Sequence, residues 1–108
     1  MPRRDLEFIQ INLKKSFSAA VELNSSTKQT KQYVALITEP YVHKGRIASA
    51  PPDSLVLAEG VDPRAAIIAN KSVRITKIGQ LLNRDCIVGI IKTDKEKFVI
   101  ASVYVHGY

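Results

Sequence analysis

One cysteine, two histidines and no tryptophan occur in 108 residues, and each scarcity removes a class of protein. A lone thiol, Cys86, can build neither an internal disulfide framework nor a cysteine-based zinc site, which suits an intracellular, reducing compartment such as the nucleus. Flanked by Ile87 and Val88, it reads as a small core residue. His43 and His106 have no second histidine or cysteine at ligand spacing and read as solvated loop residues. Aromatic residues make up only 6%, and Tyr33, Tyr41, Tyr104 and Tyr108 are scattered, so a base-stacking platform lacks material. No apolar run approaches the roughly 18–20 residues that cross a bilayer. The opening Met1-Pro2-Arg3-Arg4-Asp5-Leu6 leads into a run broken by Glu7, Gln10 and Asn12, which is no signal peptide, so no membrane partner is expected. Repeats and low-complexity segments are also missing.

What remains is material for one domain or part of one. Hydrophobic residues amount to 45% and charged residues to 24%, enough for a core and too balanced for a disordered tail. Sixteen Lys and Arg against ten Asp and Glu leave a net charge of +6, which favours polyanions, of which phosphate backbones are the commonest. The basic residues are spread along the chain and form no binding arm, so each lysine taken singly reads equally well as solvated surface.

Residues 6–13 hold Leu6, Phe8, Ile9, Ile11 and Leu13, a nearly continuous apolar run that predicts a strand covered on both faces and ending near Asn12. Ser16 can cap a helix over residues 16–31 whose apolar stripe is Phe17, Ala20, Val21 and Asn24, with Leu23 alongside. Ser25, Ser26 and Thr27 compete for its backbone hydrogen bonds and predict an early end. Residues 33–38 predict a second strand, stopped by Glu39-Pro40. Strand, helix and strand in this length make a βαβ unit with parallel strands. Residues 41–54, punctuated by Gly45, Pro51 and Pro52, read as a surface loop.

Short strands are then predicted at 55–58, 65–69 and 73–78, the last half-exposed by its alternation. Leu81 and Leu82 precede a turn at 83–85. An apolar run at 86–91, a charged hairpin loop at 93–97 and a strand at 98–105 complete an antiparallel second half. A sheet ending on Val99, Ile100, Val103 and Val105 would carry an uncovered apolar face and an unpaired edge. The sequence is therefore expected to be the front of a domain truncated at its C-terminus.

Parallel strands joined by one crossover place their C-terminal ends side by side, where open α/β sheets carry their sites. Asn12 and Glu39 fall at those ends. By alternation, Asn12 shares a face with Phe8 and Gln10, and Glu39 shares one with Ala35 and Ile37. A carboxylate with an amide oxygen is hard-oxygen ligation suited to one Mg²⁺, which takes one or two protein carboxylates and keeps waters or phosphate oxygens. A glutamate before proline also serves simply to end a strand, and asparagine is common where a strand turns away.

Four segments taken in order, Phe8-Ile9-Gln10-Ile11-Asn12-Leu13, Ala35-Leu36-Ile37-Thr38-Glu39-Pro40-Tyr41, Pro63-Arg64-Ala65-Ala66-Ile67 and Ala101-Ser102-Val103-Tyr104, resemble the endonuclease domain of non-LTR retrotransposons. That domain belongs to the endonuclease/exonuclease/phosphatase superfamily, which includes apurinic-site endonucleases. The resemblance implies an α/β (α+β) fold, here the incomplete half of a four-layer sandwich with one βαβ unit followed by mostly antiparallel strands. It also implies Mg²⁺ (or Mn²⁺) as cofactor and DNA as partner, with a downstream reverse-transcriptase polypeptide in full-length relatives. By the same resemblance Asn12 helps to position phosphate and metal, Glu39 binds the metal, and the Tyr104 hydroxyl donates to the scissile phosphate. The family continues with a proline after that tyrosine, where this chain has Val105-His106. Lys14 and Lys15, next to Asn12, are the first candidates for contact with the nucleic-acid backbone.

The family also needs an Asp-x-Asn element and a terminal Asp-His pair, which would lie beyond residue 108. Loss of such general-base and electrostatic groups costs roughly 10²-fold or more apiece, so the chain alone is expected to be nearly inert. Two other readings stay open at this point. One is a non-catalytic basic module that binds nucleic acid or protein, and the other is a degenerate remnant without selected function.

Overall fold

The computed structural model describes residues 6–27, 32–47, 50, 54–79 and 83–105. Strand β1 (Leu6–Asn12) leads into helix α1 (Phe17–Thr27), and the chain returns as β2 (Gln32–Thr38). β1 and β2 pair in parallel, from Leu6 opposite Gln32 to Asn12 opposite Thr38, so the βαβ unit is present. β3 (Val42–His43), β4 (Arg46–Ile47), β5 (Ser54–Leu57), β6 (Ala65–Asn70), β7 (Arg74–Lys77), β8 (Cys86–Lys92) and β9 (Lys97–Val103) follow. They form one sheet in the order β1-β2-β6-β5, a second in the order β7-β8-β9, and a separate β3-β4 ribbon. Apart from β1 with β2, every pairing among these strands is antiparallel. The architecture is mixed α/β, as expected.

Alternation along β2 and β6 divides the core into two layers. Tyr33, Ala35, Ile37 and Ile68 face α1, where Ala20 and Leu23 complete the cluster. Val34, Ala65, Ile67 and Ala69 face the second sheet and pack on Ile87 and Ile91. Two-sided burial explains why residues 33–37 and 65–69 are so apolar, since a strand covered on both faces has no polar alternation to spare. Each fully buried Ile or Val contributes about 1.5–3 kcal/mol. A buried polar link also joins the layers: the Ser102 hydroxyl of β9 donates to the Ile37 carbonyl of β2 at 2.7 Å.

The structure corrects several expectations. β1 has the composition of a two-sided buried strand but is a sheet edge: Ile9 and Ile11 pack on the helix-side core, whereas Phe8 is 50% exposed and Gln10 and Asn12 are exposed. The second sheet lies over β2 and β6 and on that face of β1 covers Leu6 but leaves Phe8 exposed. α1 buries Ala20 and Leu23, while Phe17 and Val21 are exposed; Phe17 meets Tyr41 edge-on at 5.3 Å. The helix is described from Phe17 to Thr27, and residues 28–31, where its end is expected, lie outside the described residues, as do Leu81, Leu82, His106 and Tyr108. Within the supposed loop at 41–54, Lys44 (φ 54°) and Gly45 (φ 80°) form the tight turn of the β3-β4 hairpin, a two-residue connection of the type that requires two positive φ angles. His43 is accordingly an exposed strand residue. Cys86 is half-buried, because it opens β8 at the sheet's end.

At the other margin, β9 pairs with β8 alone among the described strands, and Val99 and Val103 are exposed. Of the apolar edge expected from the sequence, Val99, Val103 and Val105 are exposed, whereas Ile100 packs on the inter-sheet core. Among the described residues, no helix is long and apolar enough to cross a membrane.

The connection from β1 to α1 is tight. Ser16 N–H donates to the Leu13 carbonyl at 2.9 Å, and the Ser16 hydroxyl accepts from Ala19 N–H at 3.1 Å, which is the expected helix cap. Between them Lys14 (φ 51°) and Lys15 (φ 58°) are both left-handed, a conformation that costs an L-residue with a Cβ about 1–2 kcal/mol.

Two stability outcomes follow. Ser102→Ala removes the inter-sheet bond and should lower unfolding free energy by about 1–2 kcal/mol; an unchanged denaturation midpoint would refute that cross-layer role. Lys15→Gly relieves the strained turn and should raise stability by about 0.5–1 kcal/mol despite glycine's entropy cost, measured in the same urea titration.

Candidate functional site

Because β6 runs antiparallel to β2, the end of β2 lies beside the start of β6, and the parallel β1 ends beside both. Main-chain hydrogen bonds stitch this corner together. Leu13 N–H donates to the Thr38 carbonyl at 3.0 Å, Lys15 N–H to the Glu39 carbonyl at 2.8 Å, and Glu39 N–H to the Arg64 carbonyl at 2.9 Å. The strained lysine turn is thus held in place by Glu39 itself. Lys14 and Lys15 are exposed and follow Asn12 after the buried Leu13.

Asn12 is the last residue of β1 and is exposed. Its side-chain Oδ1 accepts Lys14 N–H at 2.7 Å, an Asx turn that fixes the amide and leaves its NH₂ for an outside acceptor. The strand alternation that would put Glu39 on a face with Ala35 and Ile37 stops short of it. β2 stops at Thr38, and Glu39 adopts φ 48°, although a residue before proline normally stays extended. The kink takes Glu39 out of the pleat, half-buried, next to the residue that pairs with Asn12.

Beside this corner a cleft of about 320 Å³ opens between the sheets, lined by Gln10, Asn12 and Thr38 on one side and Ser102 and Val103 on the other. Asn12 lines the cleft itself. Glu39 and Tyr104 are the residues immediately following Thr38 and Val103. Tyr104 lies just past β9, its N–H donating to the Asp85 carbonyl at 2.8 Å and its ring partly buried on the inter-sheet core.

Sequence reasoning gave no role to Arg64 or Asp85, yet they join the pieces. The Arg64 guanidinium grips Asp85 bidentately, with Nε–Oδ1 at 2.5 Å and Nη2–Oδ2 at 2.7 Å. Its Cζ stands 5.2 Å from the Tyr104 ring centroid, within cation–π range. The hydrogen bonds to Asp85 raise the Arg64 pKa above its ordinary value, burial opposes them, and the charge of Asp85 adds to the rise. The guanidinium is therefore a permanent cation at any working pH. The sequence signals were an arginine between a turn and an apolar run, and an aspartate in the turn at 83–85.

Among the described residues, no three His, Cys, Asp or Glu gather as a metal cluster. The corner supplies one half-buried carboxylate and one amide oxygen that keeps a lone pair. That donor set fits a hard divalent cation that takes most of its ligands from water or phosphate.

No protein-family model and no curated protein matches this chain. Among solved structures, the fold is similar to the endonuclease domain of TRAS1, a telomere-specific non-LTR retrotransposon, with a TM-score of 0.65 and 24% identity over 92% of this chain. The chain spans 44% of the length of that solved chain. The protein therefore has the fold of a part of a retrotransposon endonuclease domain.

Proposed function

We propose that this chain is the N-terminal part of a metal-dependent DNA endonuclease domain of retrotransposon type, inactive by itself as a hydrolase. The observation that supports this reading is the pairing of Asn12 with Thr38, which sets Asn12 and the residue after Thr38, Glu39, at one strained strand-end corner of a fold similar to that endonuclease. Backbone strain of this kind persists where function needs it. Glu39, with Asn12 Oδ1 as a second donor, would hold Mg²⁺ or Mn²⁺. Such an ion, when bound, polarises the phosphate and stabilises the leaving oxyanion. The Asn12 NH₂ and the Tyr104 hydroxyl donate to phosphate oxygens, which orients the phosphodiester for in-line attack by water. Lys14 and Lys15 add contacts to the DNA backbone, which position the duplex without reading its sequence.

The groups that would activate the water and protonate the leaving group belong to the remainder of the domain. Exposed Phe8, Val99 and Val103 on the edge strands support a sandwich completed by further strands. Without those groups the chain lacks two contributions of about 10²-fold or more each.

With Mg²⁺ present, the isolated chain should leave supercoiled plasmid intact apart from trace nicking. Robust cleavage that is lost on Glu39→Ala would overturn the incompleteness. Affinity for a short DNA duplex should rise when Mg²⁺ is added, and Glu39→Ala should abolish that rise. A basic module binding through net charge alone would instead show salt-sensitive affinity indifferent to both.

A further inference from the structure

The Arg64–Asp85 ion pair closes a ring of contacts around one side chain, Tyr104. Tyr104 is tied to Asp85 through its main chain, Asp85 to Arg64 through both carboxylate oxygens, and Arg64 back to the Tyr104 ring through its guanidinium face. The same Arg64 is anchored at its own backbone. Its N–H donates to the Arg84 carbonyl at 2.6 Å, and its carbonyl accepts from Glu39 N–H at 2.9 Å.

We propose that Arg64 is a positioning residue whose guanidinium, fixed by Asp85, sets the orientation of the Tyr104 phenol relative to the Glu39 corner. The Tyr104 ring packs on the inter-sheet core, and its two side-chain torsions set where the hydroxyl points. A planar cation over one face, held by two parallel hydrogen bonds, restricts those torsions and orders the ring before any phosphate arrives. Lysine cannot replace it, because an ammonium is a point charge without the fork. The clamp stands on the geometry alone, while its use, presenting the hydroxyl to a phosphodiester oxygen, rests on the endonuclease reading.

The test is NMR on the full 108-residue chain with labelled tyrosine and arginine, combined with duplex-DNA affinity. In the unaltered chain, Arg64 side-chain protons should show ring-current shifts and cross-relaxation to the Tyr104 ring, assigned through Tyr104→Phe. Arg64→Lys and Asp85→Asn should each move the Tyr104 ring signals while leaving those of Tyr33 in place. Both should weaken DNA binding about as much as Tyr104→Phe does, about tenfold. Combining Arg64→Lys with Tyr104→Phe should add little to either alone, since a residue acting through another is non-additive with it.

The absence of Arg64–Tyr104 cross-relaxation in the unaltered chain would overturn the clamp whether or not the variants fold. A fully additive double variant would also overturn it, because Arg64 would then contact DNA by itself. If Tyr104→Phe leaves DNA affinity unchanged while Arg64→Lys still displaces the Tyr104 signals, the clamp is upheld and the endonuclease reading of Tyr104 fails.

Discussion

The structure depends on one adjacent pair of strands, β2 and β6, being buried on both faces at once. Val34, Ile37 and Ile67 are fully enclosed, with a helix on one side and a second sheet on the other. Once this pair is antiparallel and central, the remaining geometry is constrained. β1, parallel to β2, must end where β2 ends, and β6 must begin there. The second sheet, laid across the same two strands, brings the start of β8 and the end of β9 to that end as well, as the bonds from Arg64 and Ala65 N–H to the Arg84 carbonyl and from Tyr104 N–H to Asp85 record. Asn12, Glu39, Arg64, Asp85 and Tyr104 thus gather from five strand termini, although no two of them are near neighbours in sequence.

How much of this could be read beforehand varies from strand to strand for physical reasons. The dense apolar runs at 33–37 and 65–69 are strands, as predicted, and both of their faces are covered. The run at 6–13 has the same composition and a different fate, since apolar density reports what a strand can bury and not what lies over it. Phe8 sits on the face toward the second sheet, where only Leu6 reaches the inter-sheet core. The β3-β4 hairpin escaped notice because strands of two residues carry no period, and its only trace is Lys44-Gly45 at the turn. Glu39 falls just past the end of β2, where alternation no longer assigns it a face: alternation presumes extended backbone, and Glu39 leaves it at φ 48°.

Ion pairing was the least legible feature. Arg64 and Asp85 lie 21 positions apart and flank strands of different sheets, so their meeting depends on how the sheets stack and on no local pattern. The four segments that resemble the retrotransposon endonuclease included Arg64 and Ser102 without roles for either. The structure supplies both, one as the cation beside Tyr104 and the other as the hydroxyl that joins β9 to β2. These contacts couple two sheets whose strand ends flank the cleft, and they are what turns separate termini into a corner with one geometry.

The division of labour at that corner follows from exposure. The stitching is done by main-chain groups, which are obligatory donors and acceptors and must be paired wherever water is excluded. The side chains that could meet a ligand, Asn12, Glu39 and Tyr104, stay exposed or half-buried, so their polar ends remain within reach of solvent or a phosphate. Arg64 and Asp85 lie between these regimes at 26% and 33% side-chain exposure. A pair this open to water contributes little net stability, which makes stability a poor reason for a bidentate contact here. Orientation is the better one: a fork that fixes a neighbouring ring has its effect on where a hydroxyl points, and a site built on rigid strand ends loses function when such a group is misplaced by even about 1 Å.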